Sequence, residues 1–139
     1  MSTPVWVLLG FAGWTLLILF ATVGVYRWSR ILTGRASVRE WRADEDQGAD
    51  WYRRAMRAHM NCIENLPVYA AIVVAIIASG VSSPGLDGLA IALLGFRVVH
   101  SLWHIALEQT EVVAALRFSL YFAQILILFA MGILVAVQA

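Results

Sequence analysis

Lysine is absent from this chain, cysteine occurs once and charge is scarce: 14% of the 139 residues are charged, and 10 arginines against 9 acidic residues leave a formal net charge of +1. So near-neutral a balance excludes any general attraction to nucleic acid. The lone Cys62 excludes an intrachain disulfide. Internal repeats are missing too, because the polar residues of the second and third apolar runs have no counterparts in the first and fourth. The first run, Val5 to Tyr26, and the last, Phe118 to Gln138, carry no charge at all.

What is present is apolar. Hydrophobic residues make up 61% of the chain and mean hydropathy is +0.77, outside the range of ordinary soluble domains. A bilayer core needs about 20 apolar residues per helix. Four stretches qualify, and the expected fold is an all-α, integral membrane four-helix bundle forming one domain over 1–139, with helices at about 5–27, 51–81, 87–107 and 112–138. The first is too long for a signal-peptide core, has no basic residue before it and lacks a small-residue cleavage site, so it reads as retained. Arg27, Arg30, Arg35, Arg39, Arg42, Arg53 and Arg54 cluster between the first two spans, whereas the turn from Ser79 to Asp87 has no cation. The positive-inside rule then puts the first and third connections in the cytoplasm and both termini outside. Short loops without a retention signal suggest a bacterial inner membrane.

The stretch RAHMNCIENLPVY, Arg57 to Tyr69, carries the chemistry. On a helix, Arg57, Asn61 and Glu64 fall at i, i+4 and i+7 and share one stripe where the chain turns apolar. A charged group there is costly without a partner. The plain alternative, a solvated face beside the membrane, suits Arg53 and Arg54 better than this trio. Pro67 removes a backbone donor beside Glu64 and predicts a kink. Asp50 is the expected N-cap of the second helix. Cys62 is read as a small buried hydrophobe rather than a reactive thiol, although His59 stands near.

Arg97 falls near the middle of the third span and must find an anion inside the bundle. Glu64 is the expected partner, directly or through a ligand. His100 and His104 at i, i+4 could hold a metal, but no Cys or carboxylate completes the set. A haem on His59 and His100 is the other such use, and hydrogen bonding within the bundle is the expectation. Arg117 and Tyr121, one turn apart at the start of the fourth span, either anchor to the interface or hold an anion or thiolate. Gly132 hints at close helix packing.

With Arg57-Ala58-His59-Met60-Asn61-Cys62-Ile63-Glu64-Asn65-Leu66-Pro67 in view, together with Arg97 and His100, then Arg117 and Tyr121, the chain resembles the MAPEG superfamily, membrane-associated proteins in eicosanoid and glutathione metabolism. The resemblance spans nearly the whole chain and implies a homotrimer with glutathione as cofactor, bound between subunits near the cytoplasmic face. It implies that Arg57, Asn61 and Glu64 hold the peptide's charged groups, that Arg97 and His100 line the same pocket, and that Tyr121 lies against the ligand. It assigns thiolate stabilisation to Arg117 and adds an arginine from a neighbour's first helix, for which Arg30, Arg35 and Arg39 are candidates. His104 departs from the Tyr of several catalytic members, and Phe118 from the Ser beside the critical arginine of prostaglandin E synthase. More residues also separate Arg97 from Arg117 than in that enzyme, which argues against prostaglandin synthesis. The expected activity is a glutathione-dependent transferase or peroxidase acting on lipophilic electrophiles, with membrane lipids around it. The alternatives are a non-catalytic lipid-binding or scaffold protein of the same fold and a small proton-coupled exporter, against which the one-sided arginine bias and the missing repeat both speak.

Overall fold

Apolar runs longer than a bilayer core requires fold as four helices in the computed structural model, which describes residues 1–42, 45 and 47–139. They are α1 (Thr3–Leu32), α2 (Asp50–Ser79), α3 (Pro84–Ala106) and α4 (Glu111–Gln138), each long and apolar enough to cross a membrane. Among the described residues there is no strand, and the remaining helical element is a 3-10 turn at Val38–Glu40 in the first connection. Asp44 and Asp46 of that connection lie outside the described residues.

Local chemistry sets most of the ends. Pro4 and Pro84 sit in the first turns of α1 and α3, where a missing N–H costs nothing. Ser83 and Thr110 accept from the amides of Leu86 and Val113. Past its C-terminus α1 turns at Gly34, whose φ of 73° lets the Arg35 amide reach the Arg30 carbonyl at 2.9 Å. Inside α1, residues Leu19–Gly24 form a π-helical turn, and α-helix resumes at Val25.

α2 and α3 each pack against all the other helices. Ala55, Ala58 and Cys62, all fully buried, recur along one face of α2 and let its backbone approach its neighbours closely. Phe11, Tyr69, Val73, Leu86, Ala90, Leu93 and Met131 fill the centre, and the Tyr69 hydroxyl donates to the Pro4 carbonyl at 2.8 Å. Trp6, Phe20, Ile77, Ile91, Phe129 and Ile133 point outward, as apolar residues do where lipid replaces water. α2 continues through Pro67 as one helix.

At the arginine-rich end, aromatic side chains hold the first connection across the ends of α1 and α2. Tyr26 and Tyr52 stack with centroids 4.3 Å apart, and Trp41 meets both edge-on at 5.9 and 5.7 Å. Arg27 donates from Nε to the Tyr52 hydroxyl at 2.6 Å and lies 5.3 Å over the Trp41 ring. This cluster corrects one expectation. Ala49 is the N-cap of α2 and Asp50 its first helical residue, with no side-chain cap. The amide of Ala49 is already bonded to the Tyr26 hydroxyl at 3.0 Å. Asp50 instead pairs with Arg54 and lies 3.8 Å from Arg53.

Gly48 enters this cluster at φ 93°, and a Cβ there would stand 2.6 Å from the Tyr52 ring; at Gly34 it would meet nothing within 4 Å. Gly34→Ala should therefore cost only the left-handed backbone penalty of about 1–2 kcal/mol, and Gly48→Ala distinctly more. Thermal unfolding of the two variants, with tryptophan fluorescence reporting Trp41 and Trp51, checks the order.

Candidate functional site

Because α2 presents its polar stripe where it meets α3 and α4, side chains from three helices converge there. Arg57, Met60, Asn61 and Glu64 from α2, His100 and His104 from α3, and Arg117, Phe118 and Tyr121 from α4 line an open cleft of about 490 Å³. Six of the seven residues singled out from sequence meet in it: Arg57, Asn61, Glu64, His100, Arg117 and Tyr121. Met60 is an addition, legible only by its place one turn from Arg57, and Phe118, noted in the sequence only as the residue beside Arg117, also lines the wall. His104 was expected merely to hydrogen-bond within the bundle, yet it forms part of the wall. Arg30, Arg35 and Arg39 do not line the cleft of their own chain.

Arg97 lies behind the cleft, fully buried. Its Nη1 is 3.2 Å from His100 Nδ1, and its guanidinium stands 5.7 Å from the Phe11 ring and 5.8 Å from the Tyr121 ring. Nε and Nη2 are buried without a hydrogen-bond partner. The expected Arg97 to Glu64 ion pair is not formed. Glu64 is exposed on the surface of the chain rather than buried, and Tyr121 meets both groups, its ring beside Arg97 and its hydroxyl 3.4 Å from Glu64 Oε2.

An arginine can only donate, so its partners must accept. His100 Nδ1 therefore accepts from Arg97, which puts the ring hydrogen on Nε2. Arg117 Nη1 lies 3.3 Å from His104 Nε2 and 3.3 Å from Gln109 Oε1, which leaves the hydrogen of His104 on Nδ1. That nitrogen is buried and unpartnered. Deeper still, Ser101 donates to the Arg97 carbonyl at 2.9 Å and accepts from Trp14 Nε1 at 3.2 Å, while Cys62 Sγ is 3.6 Å from the same hydroxyl. Cys62 is thus a buried group, as expected, although its neighbour is polar.

The cleft combines cationic, amide and carboxylate groups on one wall with a phenol and an arginine facing them. Compared with models of protein families, residues 4–137 match that of the MAPEG family. The chain belongs to the MAPEG family. It is an integral, multi-pass membrane protein, a four-helix bundle of the kind that family builds. Neither the comparison with curated proteins nor that with solved structures gives a match.

In this MAPEG chain Arg97 is a cation taken out of water with two nitrogens unsatisfied, a net cost to the fold. An apolar residue of similar length does not carry that desolvation cost. Arg97→Met should accordingly unfold in detergent at or above the wild-type temperature. Melting well below it would show that the guanidinium holds the bundle together.

Proposed function

We propose that this protein is a membrane-bound, glutathione-dependent transferase or peroxidase acting on apolar electrophiles, with Arg117 stabilising the reactive thiolate. The observation that carries this reading is the convergence of Arg57, Asn61, Glu64, Arg117 and Tyr121 on one cleft. Glutathione fits the donor set: guanidiniums match its carboxylates and Glu64 matches its ammonium. Bound there, its thiol would supply the nucleophile that displaces a halide or reduces a peroxide.

What this chain contributes is charge and position. Arg57 and Asn61 would orient the peptide through its carboxylate and amide groups, and Glu64, steadied by the Tyr121 hydroxyl, would take the ammonium. A free thiol with an ordinary pKa of about 8.5 is mostly protonated near neutral pH. Arg117 would shift that balance by standing beside the sulfur as a fixed cation. Its contacts with His104 and Gln109 hold it in place without cancelling its charge, since neither acceptor is anionic. Arg97, one layer behind, would add to the field through the Tyr121 ring.

A homotrimer belongs to the same reading. Glu64 and Arg57 are exposed on the surface of a single chain, next to apolar faces suited to lipid, and a second copy would cover them. The arginine bias of the first connection supports the cytoplasmic orientation of this end and, with the short loops, a bacterial inner membrane. A second reading, lipid binding without catalysis, draws support from an apolar groove of about 480 Å³ lined by Asn65, Val68, Ile125, Leu128, Phe129, Gly132, Ile133 and Ala136.

Ultraviolet difference spectra of detergent-purified protein titrated with glutathione test the proposal, with turnover of a thiol-reactive aromatic halide as the activity assay. A thiolate band is expected in the wild type. Arg117→Ala should abolish it and lower kcat by roughly 10²–10³-fold, the usual loss when one charge-stabilising group is removed. Arg57→Ala should chiefly raise KM. Absence of both band and binding in the wild type would favour the lipid-binding reading.

A further inference from the structure

One nitrogen of Arg117 is held twice. Its Nη1 lies 3.3 Å from His104 Nε2 and 3.3 Å from Gln109 Oε1, so both hydrogens of that nitrogen are taken, one by α3 and one by the connection that leads into α4. Nε and Nη2 stay outside these two bonds and are left for a ligand in the cleft. Gln109 itself stands outside the cleft lining. We infer that Gln109 and His104 form a positioning clamp on Arg117, and that the neutrality of Gln109 keeps the arginine's charge available to the sulfur. This rests on the thiolate reading above and adds to it a residue that controls the thiol from outside the cleft.

The sequence neighbours of Gln109 make its role informative. Glu108 and Glu111 flank it, and a carboxylate is the stronger partner for a guanidinium. Among the described residues neither is paired with Arg117; the amide between them reaches it instead. The connection is braced in that position. Arg54 Nε donates to the Ile105 carbonyl at 3.2 Å, Trp103 Nε1 donates to the Val113 carbonyl at 3.3 Å, and Thr110 Oγ1 accepts from the Val113 amide at 3.2 Å. Fixed points thus lie on both sides of Gln109. The other jaw is equally restrained, because His104 is 4% exposed.

An amide oxygen restrains a cation and leaves its charge intact. A carboxylate in the same place would cancel that charge and weaken the field at a nearby sulfur. Gln109→Glu is therefore the decisive change: nearly isosteric, with a stronger hydrogen bond and the wrong charge.

The experiment is a pH titration of the glutathione thiolate band in the full-length, detergent-purified protein, comparing wild type with Gln109→Ala and Gln109→Glu, their folding checked by thermal unfolding. The other charged and titratable groups near Arg117 are the same in all three: Arg57 and Glu64 on α2, His100 and His104 on α3, Tyr121 on α4, and the flanking Glu108 and Glu111. In Gln109→Glu the midpoint is expected to rise by about one unit, a tenfold loss of thiolate, with a matching fall in kcat for the aromatic halide and little change in KM for glutathione. Gln109→Ala should fall between this and the wild type. A purely structural hydrogen bond gives the opposite order, because Glu preserves it and Ala does not. A second arm needs no thiol: phenylglyoxal modification of Arg117, followed by peptide mass mapping, should be roughly threefold faster in Gln109→Ala and slower in Gln109→Glu. Those rates with no thiolate band in any variant uphold the clamp and sink the thiol reading. Unchanged rates, or a Gln109→Glu midpoint equal to that of the wild type, overturn the inference.

Discussion

A guanidinium held inside a membrane bundle is the constraint that the rest of this structure answers. Lipid offers Arg97 no water, so every favourable contact has to come from protein. Three helices respond: α1 brings Phe11 against the guanidinium, α4 brings Tyr121, and α3 supplies His100 one turn further on. Ser101 then occupies the carbonyl of Arg97 and is itself bonded by Trp14, which extends the polar layer back to α1. Even so, two nitrogens are left over. A group accommodated at this cost is not explained by stability, and the position of Tyr121 indicates what it does instead.

Tyr121 faces two ways. Its ring lies against Arg97 and His100, and its hydroxyl reaches Glu64 at the cleft surface. The buried cation thereby orients the phenol, and the phenol orients the carboxylate. Arg117 follows a parallel rule on the other side of the cleft, held by a histidine and an amide. Among the described residues, neither Arg97 nor Arg117 is paired with a carboxylate. Two cations restrained by neutral acceptors keep their full positive field, which is the electrostatic arrangement an anionic ligand needs and an ordinary structural ion pair would cancel.

The four spans were legible in the sequence because runs of about 20 apolar residues allow little else; the α2 wall of the cleft was legible because Arg57, Asn61 and Glu64 share a helix face by spacing, and the residues facing it were joined to that stripe by the family resemblance. Pairings across helices were not. Arg97 and Glu64 looked like partners because they were the obvious opposite charges in apolar runs, yet no sequence pattern says which aromatic side chain will meet them both. The π-helical turn at Leu19–Gly24 escaped for a related reason, since one widened turn changes helix phase without changing composition. Asp50 had the right residue type for a cap and lost the role to Ala49, whose amide is taken by Tyr26 from 23 residues away. His104 belonged to the wall, but a histidine on an apolar helix looks the same whether it faces a core or a cavity. Local signals set elements and faces. Contacts between elements decided which polar groups met.

Three cavities follow one another along α2, and their order bears on the proposed chemistry. The first is lined by residues 50 to 57 and is dominated by arginine; the second, from 57 to 64, mixes charge with aromatic rings; the third begins at Asn65 and Val68 and is apolar to Ala136. Polarity therefore falls steadily along a single helix. A reaction between a charged peptide thiol and an apolar electrophile has to bring together two molecules that favour opposite ends of such a gradient. They can share a boundary only where it changes sign, between Glu64 and Asn65 on α2 and between Tyr121 and Ile125 on α4. Tyr121, already tied to Glu64 and backed by Arg97, stands at that boundary. On this reasoning the buried arginine matters less as a ligand contact than as the support that keeps the boundary residue in place.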